Sequence, residues 1–179
     1  MAAPARKDLV SVLWLMPAAP ARDFFCATID RLAQLHQAPT FEPHVTLGLT
    51  EENPALPQQI VVQPIRLGTI GIFFSSMFTK TLFVRFEITS PLQDLRASLG
   101  LSGTGYDPHL SLLYCELPAT RKAQLACSLV LPFSSVLFDG IGAVRRPNPT
   151  LNRTDVEAWE FLGSRKLRAL PGKGPPVAP

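Results

Sequence analysis

The chain is written as short apolar runs broken by Pro and Gly, and the spacing inside each run separates strands from helices. Residues 9–16 (LVSVLWLM) form a continuous apolar run with strand character, stopped at Pro17. Over 21–37, Phe24, Phe25, Thr28, Ile29, Leu32 and Leu35 recur at helical spacing and mark one face of a helix. Pro39 closes it, and a strand follows over 44–49. Residues 51–59 are a polar, Pro-rich connection. One or two strands are predicted over 60–74, around Gly68 and Gly71, and another over 81–88 (TLFVRFEI). SPLQDLRASL (90–99) predicts a helix with a capping Ser90 and Pro91 in the first turn, where a missing N–H loses no bond. A strand over 109–115 comes next, then a helix over 118–129 with Ala123, Leu125, Ala126 and Leu129 inward. Two late strands, over 135–144 and 156–162, complete the pattern.

The order β-α-β-β-β-α-β-α-β-β keeps strands in neighbouring groups, which argues against a doubly wound parallel sheet. The expectation is an α+β fold: two mostly antiparallel sheets, helices outside, and a central cleft between two similar lobes. A chain of 179 residues, 46% hydrophobic and 17% charged, holds one bilobal domain over 1–168. Residues 169–179 (ALPGKGPPVAP) lack periodicity and are expected to form a disordered tail.

Charge alters this picture little. A net charge of +3 favours anionic ligands but falls far short of a nucleic-acid-coating surface. The densest basic segments, RKLR (165–168) and Arg145-Arg146, read as solvated faces. Three cysteines without C-x-x-C spacing fit neither a disulfide framework nor a zinc knuckle, so free thiols in a reducing compartment are expected. No apolar h-region follows the N-terminal charges, and 10–16 is too short to span a membrane. The expectation is a cytoplasmic monomer with no membrane partner, no metal and no cofactor.

The chemistry lies in a repeated phrase. FEPHVTLGLT (41–50) and YDPHLSLLY (106–114) share the order aromatic, acid, Pro, His, aliphatic, hydroxyl, Leu, and they hold two of the chain's three histidines. Strand alternation places His44, Thr46 and Gly48 on one face and His109 and Ser111 on another, each opposite an apolar face. Tyr114 falls opposite His109 in an ideal strand, so only a bend or strand end would bring the two together. Imidazoles titrate near neutral pH, so one can take a proton while the other gives one. The Thr46 and Ser111 hydroxyls can donate to an oxyanion between them. A single His at a strand start would read as an ordinary core or surface residue; its repetition with matching flanks points to a catalytic pair. His36, near the end of the first helix, has no such support and reads as an imidazolium facing the helix dipole.

These motifs resemble those of the two-histidine (2H) phosphoesterases, whose His-x-Thr/Ser pairs match His44-Val45-Thr46 and His109-Leu110-Ser111. PHVTLGL, PHLSLLYCEL, the early VLWLMP, the middle GTIGIFFSSMF and the late TDVEAWEF are similar to segments of the plant and yeast cyclic phosphodiesterase branch. The resemblance implies a bilobal α+β fold with the site between lobes, and metal-independent hydrolysis of small cyclic phosphates. Its substrates would be ADP-ribose 1'',2''-cyclic phosphate and nucleoside 2',3'-cyclic phosphates, the latter opened to 2'-phosphates. It implies acid and base roles for His44 and His109, in either order, and phosphate contacts from Thr46 and Ser111. Tyr114, Phe78 and Trp14 are further possible substrate contacts, though core packing suits Phe78 and Trp14 as well. Ser75-Ser76-Met77 departs from the plant pattern and leaves base preference open. Two other functions compete: a 2H enzyme acting on RNA ends, and a nucleotide-binding module without catalysis. A strand of RNA calls for more basic and aromatic surface than 8% aromatic residues suggest, so no stable nucleic-acid complex is expected.

Overall fold

The computed structural model describes residues 8–50, 62–101 and 103–168. The 51–59 connection, the start of the 60–74 segment and the 169–179 tail lie outside the described residues. Seven strands, three longer α-helices, one short α-helix and one 3-10 turn (Phe78–Lys80) are described: β1 (Asp8–Pro17), α1 (Ala21–His36), β2 (Val45–Thr50), β3 (Ile65–Phe74), β4 (Leu82–Phe86), α2 (Ser90–Ser98), β5 (His109–Leu113), α3 (Ala119–Ser128), β6 (Ser135–Asn148), α4 (Arg153–Glu157) and β7 (Glu160–Lys166).

All strand pairings are antiparallel, in the order β1-β2-β5-β4-β3-β6-β7. The α+β class read from the sequence is therefore borne out, but the two expected sheets are one. The long β6 is the reason. Its first residues pair with β3 (Ser135 with Gly68, Phe138 with Ile65), and its remainder pairs with β1 as far as Asn148 with Asp8. One strand thus stitches both halves and closes the sheet on itself.

The core explains the helices. Phe25 and Leu32 of α1, Leu92 and Leu95 of α2 and Leu125 of α3 join Leu13, Leu15, Val45, Leu47, Val84, Leu110 and Phe138 in one buried cluster. Truncating a fully buried ring such as Phe25 or Phe138 costs about 3–5 kcal/mol. β1 is apolar on both faces because its second face is also covered: Val12 and Trp14 pack with Val144 and Trp159.

Two departures from the sequence reading matter for function. The strand predicted over 156–162 is split into α4 and β7, because Asn152 and Asp155 form a reciprocal capping box that starts a short helix. β6 runs to Asn148 instead of stopping at 144, and so carries Arg146 onto the Trp14 side of the sheet. Pro147 is tolerated there because β7 pairing ends at Arg145, leaving that edge of β6 without a strand partner among the described residues.

Candidate active site

The two histidine phrases meet at one strand pair, Val45 with Leu110, the only β2–β5 register pair among the described residues. Both side chains are fully buried in the core. Continuing that antiparallel register sets His44 across from Ser111 and Thr46 across from His109, all on the opposite face. Each histidine therefore neighbours the hydroxyl residue of the other phrase.

The shared acid-Pro-His order has a local cause. His44 Nδ1 lies 2.6 Å from the Glu42 carbonyl oxygen, and His109 Nδ1 lies 2.7 Å from that of Asp107. A carbonyl only accepts, so each Nδ1 donates, and in the neutral ring Nε2 is left as a lone pair. The proline between turns the chain so that a residue can bond the carbonyl two positions back. The acid side chains anchor the phrases outward. Glu42 accepts from Arg22 at 2.8 Å, while Asp107 bridges Lys80 (2.8 Å) and Arg85 (2.6 Å). The aromatics tie the phrases crosswise: Phe41 stacks on Tyr114 with centroids 3.9 Å apart, and the Tyr106 hydroxyl donates to the Thr46 carbonyl at 3.1 Å.

Each strand also carries a bulge at the Leu after its hydroxyl residue. Against β1, Gly48 pairs with Leu13 but Thr46 with Trp14, so Leu47 is the extra residue. Against β4, Leu113 pairs with Leu82 but Ser111 with Phe83, so Leu112 is extra. A bulge reverses the alternation beyond it. That reversal returns Tyr114 to the side of His109, meeting the condition set by the sequence. It also corrects the placing of Gly48, which turns to the core: a Cβ there would come within 3.1 Å of Leu101.

His44, Thr46 and His109 overlook a groove of about 720 Å³. Trp14, Phe78, Tyr114, Thr46 and both histidines line it, as do Lys80, Arg146 and Trp159, which sequence reasoning did not select. Trp14 stacks on the His44 ring at 3.7 Å and 10°. Trp159 meets His44 and Tyr114 edge-on at 6.0 and 5.8 Å. Ser111 is the exception. It is buried beneath the lining and its hydroxyl donates to the Thr79 carbonyl at 2.7 Å, bracing the 75–80 wall, so its expected place at the phosphate is not where the hydroxyl points. That wall is further held by Lys122, which donates from α3 to the Ser75 carbonyl at 2.6 Å.

The electrostatics of the two imidazoles differ. Burial pushes His44 down to about 3; the Glu42 carbonyl bond opposes the shift, while His109 and Arg146 add to it. His109 is lowered too, first by burial and then by Lys80 and Arg85, against the raising effects of the Asp107 carbonyl and carboxylate. Tyr114 is raised to about 12 by burial, so it stays a neutral phenol. Arg146 is half-buried, and burial lowers its guanidinium below the ordinary value. Its described partners are neutral: the Thr150 hydroxyl at 3.0 Å and the Pro147 carbonyl at 3.3 Å. A half-buried cation without a carboxylate among the described residues suits an anionic ligand. The Arg145-Arg146 pair was visible in sequence; only the length of β6 reveals which of the two enters the groove. Elsewhere, His36 ends α1 with its pKa lowered by burial, which works against the imidazolium expected there.

No family model and no curated protein matches the sequence. Solved structures do match. E. coli LigT complexed with 3'-AMP superposes with a TM-score of 0.54 at 14% identity, covering 90% of this chain and 99% of that one. The chain has the fold of LigT. LigT complexed with ATP gives a TM-score of 0.53 at 13% identity with the same coverage, and LigT complexed with phosphate gives 0.50 at 13%. At such identity the likeness speaks for the fold alone, and the LigT fold frames the groove described above. Cys26, Cys115 and Cys127 are free thiols. Among the described residues no helix is long and apolar enough to cross a membrane, and no three His, Cys, Asp or Glu side chains cluster as metal ligands.

Proposed function

We propose that the protein is a two-histidine phosphoesterase of the cyclic phosphodiesterase branch, opening small cyclic phosphates by general acid–base catalysis without a metal. The observation that carries this reading is the paired imidazoles. Each is held by the same Nδ1 bond two residues back, and both overlook one groove with Arg146 and Lys80. The substrates are nucleoside 2',3'-cyclic phosphates, ADP-ribose 1'',2''-cyclic phosphate, or both, with the protein acting as a cytoplasmic monomer.

In this scheme His44, kept neutral by burial and by the nearby Arg146, is the base. Its Nε2 takes a proton from water as the water oxygen bonds to phosphorus. His109, lowered by burial but opposed in this by the Asp107 carbonyl and carboxylate beside it, is assigned as the acid. It gives its Nε2 proton to the ring oxygen as the P–O bond breaks. For a 2',3'-cyclic nucleotide this leaves a 3'-hydroxyl and a 2'-phosphate, with the two imidazoles exchanged in protonation until solvent resets them. Thr46 and Arg146 hold the non-bridging oxygens, where charge grows in the transition state. Ser111 serves by holding the Thr79 wall. A second reading, in which the cyclic phosphate ends a longer nucleotide chain, is favoured by Phe73, exposed one ring beyond the buried Phe83 that meets His109.

The test is turnover of 2',3'-cyclic AMP with and without a chelator, with product identity read by phosphorus NMR. The expected result is chelator-insensitive formation of the 2'-phosphate. His44→Ala and His109→Ala should each lose about 10²–10⁴-fold in kcat with the fold intact by circular dichroism. Binding without hydrolysis by the wild type would overturn the enzyme reading, and loss of activity with chelator would overturn the metal-free scheme.

A further inference from the structure

One line of rings leads out of the groove. The Phe83 ring meets His109 edge-on at 5.4 Å, and Phe73 stacks on Phe83 at 6.1 Å and 29°. The register explains the alignment: Ser111 pairs with Phe83, and Phe83 with Phe73, so all three share the histidine face across β5, β4 and β3. Phe83 is only 6% exposed, covered by its neighbours, whereas Phe73 is 37% exposed and offers an open ring. Gly71, next but one along β3, puts no side chain beside it, with a backbone φ of 151° that side chains rarely adopt.

Cations flank these rings. Lys80 Nζ lies 4.8 Å over Phe83, and the Arg85 guanidinium 5.9 Å over Phe73. Both are paired with the single carboxylate of Asp107, which leaves surplus positive charge along the line. β3 pairs with β6 only as far as Gly68, so among the described residues the stretch holding Phe73 is a sheet edge. An aromatic exposed on such an edge is an aggregation liability unless a ligand uses it. Flat rings beside cations, continuous with a phosphate groove, match a nucleobase followed by its phosphate.

We propose that the Phe73 face is a subsite for a nucleobase that is joined through phosphate to the sugar whose cyclic phosphate reacts between the histidines. This rests on the cyclic phosphodiesterase reading and narrows it to substrates in which a nucleoside is linked through phosphate to the reacting sugar. Two sources carry that chemistry: an oligonucleotide ending in a 2',3'-cyclic phosphate, and ADP-ribose 1'',2''-cyclic phosphate.

The experiment compares kcat/KM of wild type, Phe73→Ala and Phe73→Tyr on three substrates: a mononucleoside 2',3'-cyclic phosphate, a dinucleotide ending in one, and ADP-ribose 1'',2''-cyclic phosphate. Phe73→Ala is expected to lose about tenfold or more on the dinucleotide, the ADP-ribose cyclic phosphate or both, leave the mononucleotide unchanged, and be rescued by Phe73→Tyr. The substrate that loses most names the source. Equal losses on all three substrates, or no loss on either the dinucleotide or the ADP-ribose cyclic phosphate, would overturn the subsite. If the wild type turns over none of them, the hydrolytic reading fails, and the subsite is read by fluorescence anisotropy of a labelled dinucleotide 3'-phosphate. There, weaker binding by Phe73→Ala sustains it and equal binding refutes it.

Discussion

Acidifying the protein should unfold it partly through one side chain, His44. Its ordinary pKa of 6.5 falls to about 3 in the folded state, because protonation would place a charge in a buried site beneath Trp14 and near Arg146. The unfolded chain therefore binds the proton first. The stability that neutral His44 contributes is fully present above pH 6.5 and drains away as pH falls toward 3. At about pH 4.5 the unfolded state gains roughly 2–3 kcal/mol from this residue alone. Urea denaturation of wild type and His44→Gln at about pH 7 and about pH 4.5 isolates the effect, since carboxylates such as Asp107 titrate in both proteins and cancel. The wild type should lose roughly 2–3 kcal/mol more than the variant across that interval. Nitrogen NMR of the three imidazoles should show the His44 ring still neutral at about pH 5. Equal pH dependence in the two proteins, or a His44 ring that titrates near its ordinary value, would refute the argument.

Two further substitutions probe the groove. Arg146→Gln should weaken inorganic phosphate binding by about tenfold or more, followed by Trp14 and Trp159 fluorescence, while Arg146→Lys keeps part of it. Unchanged binding in Arg146→Gln would remove it from the phosphate site. Asp107→Asn should move the His109 limb of the pH–rate profile to lower pH, because the carboxylate raises that pKa and its loss leaves Lys80 and Arg85 uncompensated. A limb that stays in place would show that Asp107 does not act on His109.

The histidine pair was legible because it is a string repeated with its flanks, and the Nδ1 bonds show what the flanks are for: the residue before each proline supplies the carbonyl. Strand alternation also predicted correctly that His44 and Thr46 share a face. It misplaced Gly48 and could not itself place Tyr114, because a bulge is defined against the partner strand, which a single strand's pattern does not contain. Arg146 stayed hidden behind Pro147, which reads as a strand stop unless the open edge of β6 is known. α4 had a signal in sequence, Asn152 three residues before Asp155, that the apolar run after it obscured.

The crosswise aromatic ties have a consequence for selectivity. The halves share one β2–β5 pair among the described residues, too little backbone to hold a gap constant, yet Phe41 reaches from one phrase to the other and Tyr106 reaches back. Two rigid rings act as struts of opposite direction, so the span between the imidazoles behaves as a gauge set at folding. In the proposed reaction a ligand is measured by that gauge: an ester whose attacked and departing oxygens fit it would meet both rings at once, and one that does not would be served by a single histidine.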